Sequence, residues 1–150
     1  MTEISKDTEF RKELDDLDAT QQRLMAARFI ENVAGLCSDK RIARVLEVAG
    51  DSGASQGELA DALKNARAIT FDCHTRCGSE GDWSEQAGYF VARAATAALT
   101  PLGQMPGGPA WQAAMSCRMA QTSLSIVSGA DTAGEESKQQ YRILSEFLDS

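Results

Sequence analysis

The spacing of apolar residues constrains the fold of this chain more than any other feature of its sequence. Apolar residues recur at every third or fourth position, as in Phe29, Ile30, Val33 and Cys37, and no segment alternates like a half-buried strand. Aromatic residues make up only 6% of the chain and alanine is abundant, which favours closely packed helices over a sheet. The sequence therefore predicts an all-α fold.

Capping and breaking residues divide the chain into six or seven predicted helices. We expect these helices to form a compact all-α bundle, mostly as antiparallel hairpins. A first helix is predicted over about 6–16, and Asp18 is placed to cap a second helix that runs to about Cys37. Ser38 or Asp39 can cap a third helix. We expect the whole bundle to form a single domain over residues 1–150, a length that gives room for one core.

The later helices are marked by paired capping residues and by glycine and proline at their ends. The apolar stripe of the fourth helix includes Ile69, Cys73 and Cys77, whereas the sixth is apolar on most of its circumference, which predicts a central position. The predicted caps are Ser55 with Glu58 and Asp82 with Glu85, and the predicted stops and starts are Gly50, Gly78, Thr100-Pro101 and Pro109.

The excess negative charge lies entirely in the two terminal segments. Residues 1–18 carry seven acids against three bases, residues 131–150 carry five against two, and the chain between them has ten of each. We expect these ends to serve a protein partner, which would be basic, through Asp15, Asp16, Glu135 and Glu136. Solubility is the alternative role for the same charges.

The same sequence bears on nucleic-acid partners, on membrane partners and on the location of the protein in the cell. Nucleic-acid binding needs a basic stripe, and the sequence has none, so no nucleic-acid partner is expected. No apolar run approaches the roughly 20 residues of a membrane helix, so no membrane partner is expected. The first ten residues lack a signal-peptide pattern, which predicts a cytoplasmic protein with reduced thiols.

Four cysteines fall on predicted inner helix faces, and Cys73 and Cys77 are one helical turn apart. Buried cysteine usually packs as a small hydrophobic residue, and we expect this role here. The alternative is a thiol-based metal or redox site that gathers Cys37, Cys73, Cys77 and Cys117, since thiolates bind soft metals. The only histidine, His74, is offset about 100° from the cysteine face and is predicted to point towards solvent or a partner.

The run from Phe29 to Arg67 is similar to a helical region that recurs in bacterial proteins. It contains the pattern D-x-R-x-x-x-x-x-E-V-A, a loop of small residues and then S-x-x-E-L, and a weaker match follows in QYRILSEFL. Immunity domains of bacterial toxin systems resemble this arrangement, which implies a helical domain that binds a protein. The resemblance transfers no catalytic residue. The matching residues are Asp39, Arg41, Glu47, Val48, Ala49, Ser55, Glu58 and Leu59.

These observations favour a non-enzymatic protein-interaction module of immunity-like type. The sequence assembles no recognisable nucleophile, base and orienting group, so an enzyme is the less favoured interpretation and no cofactor is expected. The alternative function is the thiol-based metal or redox protein described above.

Overall fold

A computed structural model describes residues 3–77, 83–129 and 132–149, and this part of the chain forms an all-α bundle. Seven α-helices and one short 3₁₀ turn lie within these residues, and no strand occurs among them, as predicted. None of the helices in the described segments is long and apolar enough to cross a membrane. The helices are α1 (Asp7–Asp15), α2 (Ala19–Glu31), α3 (Arg41–Ala49), α4 (Gln56–Cys77), α5 (Trp83–Leu99), α6 (Gly108–Ser128) and α7 (Thr132–Asp149).

The predicted caps of α2 and α4 are present. The Asp18 carboxylate accepts from the Gln21 amide at 2.8 Å, and the Gln21 side chain accepts from the Asp18 amide at 3.0 Å. Ser55 and Glu58 form the same reciprocal pair, both at 3.1 Å. Each pair satisfies amides that have no partner inside the helix, which sets where the helix begins. The predicted residues Gly78 and Asp82 lie outside the described residues.

The predicted end of the second helix at about Cys37 is wrong. The α-helix stops at Glu31, and a 3₁₀ turn follows at Ala34–Leu36. There the amides bond three residues back, from Val33 to Ile30 and from Leu36 to Val33, which tightens the chain. Val33 and Cys37 remain buried through this turn. Because the apolar spacing continues through it, the pattern alone did not reveal the change.

The core is one cluster of buried residues to which all seven helices contribute. The most extensive contact between described helices lies between α5 and α6, whose buried sides are rich in alanine. Helix α6 also packs against α1, α2 and α7, which confirms its predicted central position. The buried residues of α5 and α6 include Ala92, Ala94, Ala95, Ala98, Ala110, Ala113, Ala114, Cys117 and Ala120.

Candidate functional site

A shallow groove of about 330 Å³ runs between α4 and α5 on the surface of the bundle. Phe71 of α4 projects into solvent here, and with 70% of its surface exposed it is the most exposed large hydrophobic residue in the described segments. Its position follows from helix geometry, because it is two residues from both Ile69 and Cys73, which face the core. The rings of His74 and Tyr89 line the same groove, so Phe71 belongs to an aromatic surface that is a candidate contact site.

Threonine and aromatic pairs hold the two sides of this groove together. The hydroxyls of Thr70 and Thr96 lie 3.2 Å apart across its floor, and the rings of His74 and Tyr89 meet at 5.5 Å. The earlier residue of α4 in these pairings meets the later residue of α5, so the two helices run antiparallel, as predicted. The exposed position of His74 agrees with the sequence prediction that it points away from the core.

Two arginines, Arg67 and Arg93, give the groove its charge. Both are exposed, and among the described residues that line the groove none carries a carboxylate. Most described arginine guanidinium groups contact a carboxylate, a carbonyl or an aromatic ring. Among the arginines with described side chains, only Arg67, Arg93 and Arg142 make no such contact. Two of these three guanidinium groups therefore flank one groove on a chain whose net charge is −7.

A second groove of about 390 Å³ lies where α2 and α4 begin and α5 ends. It is mainly apolar and includes Leu102, which is 47% exposed. Its one arginine, Arg23, donates to the carbonyl oxygens of Ala49 and Asp51 at 3.3 and 3.1 Å. The Arg23 guanidinium thus already bonds the carbonyl oxygens at the end of α3. The second groove therefore offers a ligand fewer unused hydrogen-bond donors than the groove between α4 and α5.

The described cysteines are buried and do not gather into the predicted alternative metal site. Cys37, Cys73 and Cys117 carry thiols rather than disulfides, and all three are buried. Within the described ranges, no three side chains of the metal-binding types histidine, cysteine, aspartate and glutamate lie together. The Cys77 side chain lies outside the described residues. Burial, and then the charge of Glu136, raises the pKa of the Cys117 thiol, which disfavours the thiolate that binds metals.

We expect the three buried thiols, Cys37, Cys73 and Cys117, to react slowly with a thiol reagent in the native state and rapidly in urea. Cys73→Ala and Cys117→Ala should each lower the free energy of unfolding by about 1 kcal/mol, through lost packing. Reaction kinetics and urea denaturation check these values. Stoichiometric zinc, copper or iron in protein purified without chelator, with unfolding when the metal is removed, would contradict the packing role.

Of the four acidic residues predicted to meet a partner, Asp15, Asp16 and Glu135 are exposed, but Glu136 is not. Glu136 is 1% exposed, so the prediction that it lies on the acidic surface is wrong. Its carboxylate accepts from Asn32 at 2.9 Å and from Gln140 at 3.3 Å. Burial raises the pKa of Glu136, while these hydrogen bonds oppose the rise. Glu136 therefore belongs to the core.

The two terminal segments adjoin, but these acidic residues do not form one patch. The Tyr141 hydroxyl donates to Asp7 at 2.7 Å, which ties α7 to α1. Asp15 is the last residue of α1 and Asp16 follows it, and Gln22 links this end of α1 to Ala110 at the start of α6. Glu135 instead precedes Glu136, which accepts from Gln140, and Gln140 bonds Ala114 and Arg118 of α6. The two acidic sites thus lie beside different parts of α6.

A hydrogen-bonded network around Arg118 joins α1, α6 and α7. Its guanidinium donates twice to Asp7, both at 2.9 Å, and once to Gln140 at 2.9 Å. Arg118 holds the pKa of Asp7 below its ordinary value, whereas burial and then Asp7 raise the pKa of Tyr141. A hydroxyl with a raised pKa stays protonated and is a poor nucleophile or base. We therefore interpret the network as a structural link between α1, α6 and α7.

Comparison of the chain with protein-family models, with curated proteins and with solved structures found no match.

Proposed function

We propose that this chain is a non-enzymatic protein-interaction module that binds a protein partner through the groove between α4 and α5. The observation that carries the proposal is the exposed ring of Phe71, which lies beside His74 and Tyr89 and between two unengaged arginines. Aromatic residues and arginine are the types enriched where protein partners bind most strongly. An open surface of this kind suits a macromolecule better than a small molecule, which is usually enclosed on most sides.

A binding role is favoured over catalysis by the chemistry of the buried polar groups. Catalysis by a hydroxyl or thiol needs a nearby base and a lowered pKa. The pKa values of Tyr141 and Cys117 are instead raised by burial. The resemblance to immunity domains supports the same class of function, and in that form of the proposal the partner is a toxin encoded beside this gene.

The proposal is tested by capturing the partner from cells of the source organism with tagged protein. We expect Phe71→Ala to reduce recovery of the partner at least about tenfold, as for a residue central to an interface. The matched control is Leu102→Ala, which removes another exposed hydrophobic side chain in the second groove. Equal recovery by wild type and Phe71→Ala, or a loss confined to Leu102→Ala, would reject the groove between α4 and α5 as the binding surface.

A further inference from the structure

The charged and aromatic side chains that line the groove between α4 and α5 occupy successive positions along its length. Thr70 lies opposite Thr96 and His74 lies opposite Tyr89, so Arg93 is level with the turn of α4 that carries Phe71. Arg67 precedes this turn. With a helical rise of about 1.5 Å per residue, the two arginines are separated by roughly 7 Å along the groove. The rings of His74 and Tyr89 lie about one turn beyond Arg93, on the side away from Arg67.

The spacing of these groups specifies what they can contact together. Guanidinium groups bind carboxylates with paired hydrogen bonds, and neither Arg67 nor Arg93 is engaged by another described side chain. On a helix, residues at positions i and i+4 are about 6 Å apart along the axis, and i+7 lies on the same face one turn further. The spacing of these three helix positions matches the spacing along the groove of Arg67, Arg93 and the rings of His74 and Tyr89.

Building on the proposed function, we propose that the groove binds a short acidic helical segment of its partner. The segment presents two carboxylates one turn apart to Arg67 and Arg93, and an apolar side chain one turn further to His74 and Tyr89. A helix laid into a groove between two helices is a recurring mode of peptide recognition, read through positions i, i+4 and i+7. The partner surface at this site is therefore acidic, opposite in charge to the basic partner predicted from the ends of the chain.

A protein segment fits this groove better than a nucleic acid. Nucleic-acid binding depends on several lysine and arginine contacts along a phosphate backbone, and this groove offers two arginines on a chain with a net charge of −7. A short segment mainly senses charges within about 8 Å at physiological salt, the screening length there.

The direct test uses a fluorescent helical peptide of about 15 residues, with two glutamates four positions apart and phenylalanine three positions further. A second peptide carries the same residues in reverse order. We expect one of them to bind, with affinity that falls about tenfold in Arg67→Gln and in Arg93→Gln and that weakens with salt. Arg142→Gln is the control, because it removes another unengaged arginine outside the groove.

Three results would overturn the acidic segment as ligand. These are no binding of either peptide at about 1 mM, equal binding when both glutamates are replaced by glutamine, and tighter binding of a lysine-substituted peptide. Tighter binding of single-stranded oligothymidylate, lost in Arg67→Gln, would assign the groove to nucleic acid instead.

The captured partner separates this inference from the proposed function. A partner that is lost in Phe71→Ala but retained by Arg67→Gln and Arg93→Gln would leave the binding groove in place and reject its acidic ligand. A partner retained by all three variants would reject both.

Discussion

Replacing Phe10 with alanine is expected to lower the free energy of unfolding by about 3–5 kcal/mol, the range for deleting a fully buried aromatic ring. Phe10 is 0% exposed, and its ring lies 5.6 Å from Phe29, 5.3 Å from Tyr141 and 6.2 Å from Trp111. The guanidinium of Arg118 lies 5.5 Å from the same ring. The ring thus joins four helices, so its removal leaves a cavity that none of them can fill by moving alone.

Urea denaturation measures the effect of Phe10→Ala, with an unchanged dependence on urea as the sign that only stability has altered. Phe71→Ala is the matched control, because it removes the same ring from an exposed position and should cost no more than about 0.5 kcal/mol. A cost below about 1 kcal/mol for Phe10→Ala would contradict the position of α1 against α6 and α7.

Arg118→Ala is expected to cost about 3 kcal/mol, the second largest effect, since truncation leaves polar partners without their donor. The Arg118 side chain is 14% exposed and bonds both Asp7 and Gln140. Gln140 is fully buried, and its amide also donates to the Ala114 carbonyl, so it has no route to water. Loss of the guanidinium also removes the hydrogen bonds that hold α1 against α6.

The matched control for Arg118 is Arg44→Ala, whose salt bridge with Glu47 is exposed. Its side chains are 65% and 70% exposed, and such pairs contribute roughly 0–1 kcal/mol. Thermal or urea denaturation of both variants gives the comparison. Equal effects in the two variants would show that the Arg118 network contributes no more than a surface pair.

The fold was predictable from the sequence because local signals and apolar spacing agree. The capping pairs at Asp18 and Ser55 are backbone interactions over a few residues, so they are visible in the sequence itself. The stop at Thr100-Pro101 has the same local cause, and α5 ends at Leu99. The order and bounds of most helices follow from such signals.

The buried polar residues of α7 were not predictable in the same way. Glu136 and Gln140 extend the stripe of Leu144 at intervals of four residues, but their charge and polarity suggested an exposed face. They are buried because Asn32, at the end of α2, and Arg118 of α6 donate hydrogen bonds to them. Only the tertiary arrangement brings these partners together.

The candidate site was only partly visible in the sequence. The exposure of His74 was predicted, but the groove depends on how α4 pairs with α5, which brings Tyr89 and Arg93 beside it. One available signal was Phe71, a large aromatic residue lying off the apolar stripe of its own helix. Such a residue indicates a binding surface only when other apolar or aromatic side chains lie beside it, which the sequence of α4 alone does not show.

The most direct test of the proposed binding surface is an amide chemical-shift titration of the protein with its captured partner. We predict that the largest changes fall on residues 67–74 of α4 and 89–96 of α5. Changes concentrated instead around Asp15, Asp16 and Glu135, with none in the groove between α4 and α5, would contradict the account and favour the acidic ends.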